Sequence, residues 1–244
     1  MKAFCSVYFD SGLLPFWLRY YHRHGVTHFI FVVHNCGKHV AKVAAAYYHT
    51  IIESPYEYMN GMIDTLELNC HVQHLVAAQE WYVMADLDEF HWCPTWTTSA
   101  DTFQDLYGNY DSVHSLFYDR VASDGKIPLI QQNVSLDAQF PLGGDVMGGA
   151  STIAPTTCRR KVVMARGSVH IGAGHHTVHS GTHGPMLCRT HHFKWHGPHL
   201  ESWLGFRNCS KQTPHHSESR DFLSHFRTHG KIAVPLQQAP QIGV

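Results

Sequence analysis

The sequence holds no Cys-x-x-C pair. Its seven cysteines, Cys5, Cys36, Cys70, Cys93, Cys158, Cys188 and Cys209, are odd in number and scattered. That argues against both a disulfide framework and a cysteine-built zinc site, and most of them read as small buried hydrophobes. No apolar run approaches the roughly 18 residues of a membrane span. The opening MKAFCSVYFD lacks the long apolar core of a secretory leader and reads as a first strand. The expectation is a cytoplasmic protein with no transmembrane segment, free to associate peripherally with a membrane. Charge is sparse as well. Only 15% of residues are charged and the formal net charge is −1, so nothing marks the chain as a nucleic-acid binder. Repeats and low-complexity blocks are absent. With 244 residues, 44% of them hydrophobic, the chain is long enough for a sizeable core.

Histidine, by contrast, is abundant, with 23 in the chain. Many fall between His170 and His199. The near-helical spacings His175/His179 and His192/His196 lack the glutamate of an H-E-x-x-H zinc site. Gly172, Gly174, Gly181, Gly184 and Gly197 argue against the helices that would align such pairs. Histidine filling polar loop positions is the plainer reading.

Residues 3–9 read as a strand, broken by Asp10-Ser11-Gly12. Leu14, Trp17, Leu18 and Tyr21 repeat at helical spacing over 13–24, and Gly25 stops the helix. HFIFVV at 28–33 is apolar on both faces, as a central parallel strand requires. Residues 38–49 and 62–79 read as helices, and 81–86 as a third strand. Strand–helix alternation over the first 90 residues predicts right-handed βαβ units in a mostly parallel sheet with helices on both faces. Further on, 101–108 reads as a helix and 112–118 as a strand. Residues 133–150 read as a loop, 159–171 as a hairpin around Arg166-Gly167, 187–196 as a strand and 198–207 as a helix. One domain is expected over 1–230, with a nucleotide-sugar-binding half (1–100) and an acceptor-binding half (101–230). A loose C-terminal tail is expected over 231–244.

The third strand raises the chemical question. WYVMADLDEF runs from buried-strand composition straight into Asp86, Asp88 and Glu89, and burying unpaired carboxylates is costly. Asp86-x-Asp88 lets two carboxylates reach one point, where they repel unless a cation joins them. Hard oxygen ligands favour Mg²⁺ or Mn²⁺ shared with substrate phosphates. In open α/β sheets, ligands gather at the carboxyl ends of the strands, where this segment lies.

WYVMADLDEF resembles the W-x-x-x-x-D-x-D-E-F segment of bacterial family 2-like glycosyltransferases with the GT-A fold. LPFWLRYYHRHGVTHFIFV, DRVASDGKIPLI, QFPLGG, CRRKVV, IGAGHH and HHFKW are similar to further segments of that group, in the same order. The resemblance implies the GT-A-type nucleotide-diphospho-sugar transferase fold. It implies a metal-dependent transfer, hexosyl or deoxyhexosyl and inverting, from a UDP-, GDP- or dTDP-sugar. The acceptor would be a glycan or a lipid-linked or surface polysaccharide. It also implies Mn²⁺ or Mg²⁺ on the donor diphosphate, held by Asp86, Asp88 and, from HHFKW, His192. The chain departs from the group's pattern at Asp10-Ser11, where Asn-Glu is common, and at His34-Asn35, where an Asp is common.

Within that reading, Glu89 orients the carboxylate pair and Lys161 or Lys194 neutralises phosphate charge. Asp10, Asn35 and Asp86 serve the nucleotide sugar, and His175 and His176 line the donor or acceptor pocket. An inverting transfer needs a base. Asp119, at the end of strand 112–118, is the candidate, against a structural ion pair with Arg120; Asp137 and Asp145 are weaker choices. Two alternatives stand beside this. One is a nucleotidyltransferase, which usually carries a basic Gly-rich loop after the first strand, where this chain has Asp10-Ser11-Gly12-Leu13-Leu14. The other is a non-enzymatic, histidine-rich metal-binding protein on a GT-A-like fold.

Overall fold

The computed structural model describes residues 1–8, 12–56, 61–97, 105–146, 153, 158–197 and 216–244. Asp10, the helix expected at 198–207 and the start of that expected at 101–108 lie outside the described residues. The described chain groups into two units, Met1–Leu116 with Arg160–Thr190, and Phe117–Arg159 with His191–Val244. The expected halves, 1–100 and 101–230, do not match these bounds. The reason is local: the strand at 160–166 turns back onto the sheet of the N-terminal segment instead of staying with its sequence neighbours. Among the described residues, no helix is long and apolar enough to cross a membrane.

The first unit is a mixed α/β layer. Its strands are β1 (Lys2–Val7), β2 (His28–Val33), β3 (His49–Glu53), β4 (Trp81–Met84) and β5 (Glu89–Trp92), with the start of β6 (Ser112–Val121) and later β8 (Arg160–Arg166). Strands β3, β2, β1 and β4 run parallel in that spatial order, in register Lys2↔His28 and Lys2↔Tyr82. β8 then adds antiparallel to β4, and the Ser112–Leu116 part of β6 adds antiparallel to β8. The sheet is therefore mostly parallel, as its doubly apolar strands demand. Alternate residues of β2 face opposite sides. Phe29 and Phe31 meet Trp17 of α1 (Leu14–Arg23), with ring centroids 5.7 and 5.8 Å apart. Ile30 and Val32 pack with Leu68 and Val72 of α3 (Gly61–Leu75) and with Phe4, Tyr82 and Met84. Helices thus cover both faces of this sheet.

Two expected elements change. The helix read over 38–49 is short, α2 (Gly37–Val43), and the β-branched HTIIE that follows forms β3 beside β2. The alanines that suggested a longer helix make the turn between them. The hairpin read over 159–171 is the single strand β8. At Gly167 the chain presses on the backbone of Val76 and Ala77, where an added Cβ would lie 2.4 Å from the Ala77 carbonyl oxygen. Gly167 N–H donates to Glu80 O at 2.9 Å, so the chain leaves the sheet there instead of returning.

In the second unit, the segment read as a loop over 133–150 carries α4 (Leu136–Gln139) and β7 (Leu142–Gly144). Ser135 caps α4 by accepting from Ala138 N–H. β7 pairs antiparallel with Asp119–Val121 of β6 and with β10 (Gln237–Gln238). The core joins Val121, Val146, Trp195 and Ile232 to Phe222 and Leu223 of α5 (His216–His229). Trp195 and Phe222 stack with centroids 4.3 Å apart.

The tail expected to be loose is held. Ile232 and Ala239 are buried, and the Asp137 carboxylate accepts from the backbone N–H groups of Ile242, Gly243 and Val244 at 3.0, 2.7 and 3.2 Å. Asp137 also accepts from Arg120 at 3.0 Å, and Arg120 is fully buried. Removing one member of such a buried pair strands the other. Asp137→Ala is expected to lower unfolding free energy by about 3–5 kcal/mol, read by urea denaturation. It should also open residues 232–244 to limited proteolysis. A change within experimental error in both would refute the clamp.

Candidate active site

The site in the first unit is built on the backbone that follows β4. Ala85 N–H still bonds to Phe4 O at 3.1 Å, extending the β1–β4 ladder by one residue. The chain then folds into a turn, with Glu89 N–H donating to Asp86 O at 3.0 Å. Three aromatic side chains of α1 fix this turn from below. Trp17 Nε1 donates to Asp86 O, Tyr21 Oη to Glu89 O and Tyr20 Oη to His91 O, at 3.2, 3.0 and 2.8 Å. The carbonyls after a strand end, which would otherwise be orphaned in an apolar layer, are thereby satisfied.

The carboxylates are met by a lysine. Lys161 projects from β8 and its ammonium lies 2.6 Å from Glu89 Oε1 and 3.2 Å from Asp86 Oδ2. Lys161 and Glu89 are almost completely buried, whereas the Asp86 side chain is 45% exposed. Burial works against the charged ammonium, but Asp86 and then Glu89 outweigh it and hold the Lys161 pKa above the usual lysine value. The positive charge implied by WYVMADLDEF is therefore supplied by the protein itself. The expected role of Lys161 as a phosphate contact changes accordingly, because its ammonium is committed to two carboxylates inside the fold.

His175 closes the other side of Asp86. It lies in the 3₁₀ turn Ala173–His175, and both Gly174 and His175 have positive φ, 66° and 60°. For a histidine this is a strained conformation. It follows two anchors to α3 just before it in the chain. Asn69 of α3 bonds both the N–H and the C=O of Ile171, at 3.0 and 2.7 Å, and Gly174 N–H donates to Thr65 Oγ1. The ring is buried, with Nδ1 lacking a hydrogen-bond partner and lying 3.8 Å from Asp86 Oδ1. Burial lowers its pKa to about 3, so the ring is neutral and its lone pairs are available. Asp86, Glu89 and His175 offer ligand atoms all within 4.8 Å of one another. Two carboxylates and an imidazole suit Mn²⁺, and the buried, unsatisfied Nδ1 is what a cation on Asp86 would complete.

Asp88 follows in the same turn and is partly exposed. His176, by contrast, is tied to β8 through Nδ1 and Arg160 O at 2.6 Å. Asn35 is exposed just past β2, with φ 62°. One cluster had little signal in the sequence. Tyr8 and His34, at the ends of β1 and β2, stack with centroids 3.8 Å apart and planes 8° apart. The Tyr8 hydroxyl donates to Asp64 of α3. Burial pushes the Asp64 carboxyl up to about 6. The departure at His34-Asn35 was the only pointer to it.

In the second unit, Asp119 is buried and its carboxylate is fully engaged. It accepts from His192 Nδ1 at 2.8 Å, Trp195 Nε1 at 3.3 Å and Val146 N–H at 3.1 Å. That corrects its expected role as the free base: it orients His192, putting the hydrogen on Nδ1 and the lone pair on Nε2. Its expected ion-pair partner, Arg120, bonds to Asp137 instead. Lys194 lies over the Trp195 ring, 5.4 Å from its centroid.

Buried histidines make the first unit acid-sensitive. His91 donates from Nε2 to Met84 O and takes a bond from Thr190 Oγ1 at Nδ1. Burial lowers His91 to about 3 and His114 to about 4. Unfolded histidines take protons below about pH 6.5, whereas these rings stay neutral, so stability falls as pH drops from 6.5 toward 4. Each ring, His175 included, contributes up to about 1.4 kcal/mol per pH unit. Asp64 acts with the opposite sign between about 4 and 6, since it keeps its proton in the folded state. Urea midpoints across pH 4–7 should therefore rise with pH, and His91→Gln should remove about one proton from the slope. A midpoint independent of pH in this range would contradict the assignment.

No protein-family model matches the chain, and no curated protein matches it. Solved structures match it over part of its length. One, HddC from Yersinia pseudotuberculosis, is 8% identical with a TM-score of 0.36, covering 51% of this chain and 66% of that one. A second, 4-diphosphocytidyl-2C-methyl-D-erythritol synthase, is 11% identical with a TM-score of 0.36, covering 68% and 75%. A third, the inositol-1-phosphate CTP transferase from T. maritima, is 10% identical with a TM-score of 0.31, covering 55% and 64%. The chain spans less than two thirds of the first and third of these. Similarity of this order carries no functional argument, and the α/β architecture rests on the sheet described above.

Proposed function

We propose that the chain is a nucleotide-dependent transferase, and that its reaction is glycosyl transfer from a nucleoside-diphosphate sugar. The observation that carries this is the pairing at the end of parallel β4. A half-exposed Asp86 faces a buried neutral imidazole whose Nδ1 has no hydrogen-bond partner and is 3.8 Å away. Strain and burial are invested to hold that imidazole beside a carboxylate, which is the makeup of a divalent-cation site. Asp86, Glu89 and His175, whose ligand atoms lie within 4.8 Å of one another, would hold Mn²⁺ or Mg²⁺, with Asp88 in the same turn. When bound, such a cation supplies Lewis-acid stabilisation to a departing nucleoside diphosphate.

The chain's own residues divide the remaining work. Lys161 and Glu89 keep Asp86 in place and ionised. The end of β2, with Asn35, borders the donor. His192, expected from HHFKW to be a ligand, lies in the second unit, where the Asp119 carboxylate accepts from its Nδ1. The resemblance of WYVMADLDEF and HHFKW to family 2-like glycosyltransferases supports glycosyl over other transfers. Nucleotidyl transfer is the second reading, the enzyme alternative that the sequence left beside glycosyl transfer. It makes a different product, pyrophosphate instead of a nucleoside diphosphate, and the chain has no basic residue in Ser11-Gly12-Leu13-Leu14 to receive a triphosphate.

The test is calorimetric titration with UDP, GDP and dTDP, each with and without Mn²⁺. At least one should bind only with the metal. Asp88→Asn and His175→Ala should each weaken Mn²⁺-dependent binding by at least about tenfold while leaving the far-ultraviolet circular dichroism unchanged. Binding that ignores a chelator, or equal affinity in both variants, would sink the metal reading. Release of pyrophosphate from a nucleoside triphosphate and a sugar phosphate, without release of nucleoside diphosphate from a sugar nucleotide, would replace glycosyl by nucleotidyl transfer.

A further inference from the structure

Cys93 directly follows β5, and Cys188 opens β9 (Cys188–His192). Both are buried, and their sulfurs lie 2.7 Å apart. The Tyr107 hydroxyl caps the pair at 3.7 Å from each sulfur. Non-bonded heavy atoms rest roughly 3.5–4 Å apart, so two independent thiols would not settle at this distance. Shared ligation of zinc fails as well. Zn–S bonds of about 2.3 Å in a tetrahedron set the sulfurs about 3.8 Å apart, well beyond the separation here. A disulfide, at about 2.0 Å, is the one state that a small approach of the sulfurs reaches.

Strand register agrees. His91 Nδ1 bonds to Thr190 Oγ1 at 2.8 Å. Two residues onward from His91 is Cys93, and two residues back from Thr190 is Cys188, the same step in opposite directions that an antiparallel pair takes. Directly opposed residues have Cβ atoms about 4.5–5.5 Å apart, near the span that a disulfide bridges. The pairing of β5 with β9 is what brings together the two strand ends that carry the cysteines. This pair departs from the reading of most of the cysteines as small hydrophobes.

We propose that Cys93 and Cys188 are a redox pair that closes to a disulfide joining the end of β5 to the start of β9. With oxidised glutathione as the oxidant class, one thiolate attacks a glutathione sulfur and expels one glutathione thiolate, leaving a mixed disulfide. The second cysteine then loses its proton and attacks the protein-side sulfur, expelling the second glutathione thiolate. The two thiol protons pass to the two leaving thiolates. The protein loses two electrons and one glutathione disulfide gains them. Contact with Cys93, and then burial, push the Cys188 thiol up, and both sulfurs are buried, so the exchange is slow in the folded chain and fastest during folding or local opening. The bond, once closed, ties down the strand that begins with Glu89, the partner of Lys161.

The test uses the full chain refolded from urea in a glutathione redox buffer, then alkylated without reduction and mapped by peptide mass spectrometry. The expected product is one linked pair of peptides containing Cys93 and Cys188, with exposed Cys70 and Cys158 alkylated. The melting temperature should be higher in the oxidised sample and fall on addition of dithiothreitol. Cys188→Ser should remove this redox-dependent shift, and Cys70→Ser should keep it. Alkylation of both Cys93 and Cys188 after oxidative refolding would overturn the proposal. So would a disulfide between other cysteines, glutathione adducts without a Cys93–Cys188 link, or a redox-dependent shift that survives in Cys188→Ser. If Cys188→Ser fails to fold, the peptide map of the wild-type chain decides alone.

Discussion

A single buried ammonium organises the first unit. Lys161 enters from an antiparallel strand added to a parallel sheet, and its charge lies between Glu89 and Asp86. A buried ion pair is weak evidence of stability, since desolvation offsets much of the attraction. Its effect is on geometry. The turn after β4 brings two carboxylates close enough to repel, and it holds that shape because one cation neutralises both from inside the fold. The outer oxygen of Asp86 is left facing the side where His175 waits. The lysine at 161 thus makes an acidic strand end compatible with a buried strand.

The second constraint is backbone satisfaction. Trp17, Tyr20 and Tyr21 occur within one helical turn and a half, and each donates to a different carbonyl of the 86–91 segment. These aromatics look, by periodicity, like an ordinary apolar face. Their polar tips give them a second task, which periodicity cannot register. The same holds for Asn69, which pairs with both backbone groups of Ile171 and thereby steers the loop that carries His175. The strain at His175 is sustained because Ile171 and Gly174, just before it, are anchored to α3.

The parts of this picture that local pattern encodes were legible. HFIFVV could only be a strand buried on both faces, and the placement of Asp86 past a third strand followed from βαβ alternation. Residues whose meaning depends on distant partners were not. Lys161 reads as a surface cation until β8 is seen beside β4. Asp119 reads as a base until His192, Trp195 and Val146 are seen to occupy it. The tail reads as loose because its apolar residues are few, yet three backbone N–H groups converge on Asp137, a bond set with no sequence signature. β3 was hidden by the alanines before it, and β8 by a glycine that ends a strand without starting a hairpin.

The abundance of histidine also has a physical account, at least for the buried rings. His91 serves as a neutral connector, donating at one nitrogen and accepting at the other, in a chain that runs from Met84 O to Thr190 and on to Ser115. A lysine or arginine there could only donate, and its charge would have to be paired. An asparagine could bridge but would not fill the space that an aromatic ring fills against Tyr21. His34 does the same between Ser6 and the Tyr56 carbonyl while stacking on Tyr8. Histidine is the one aromatic side chain that, when neutral, carries its donor and its acceptor on two separate ring atoms, so that it can bridge groups on opposite sides of the ring. At His91, whose pKa burial lowers to about 3, the consequence is built into that choice: a connector that works only when neutral loses its function where acid adds the second proton, so the residue that completes this network also sets its lower pH limit.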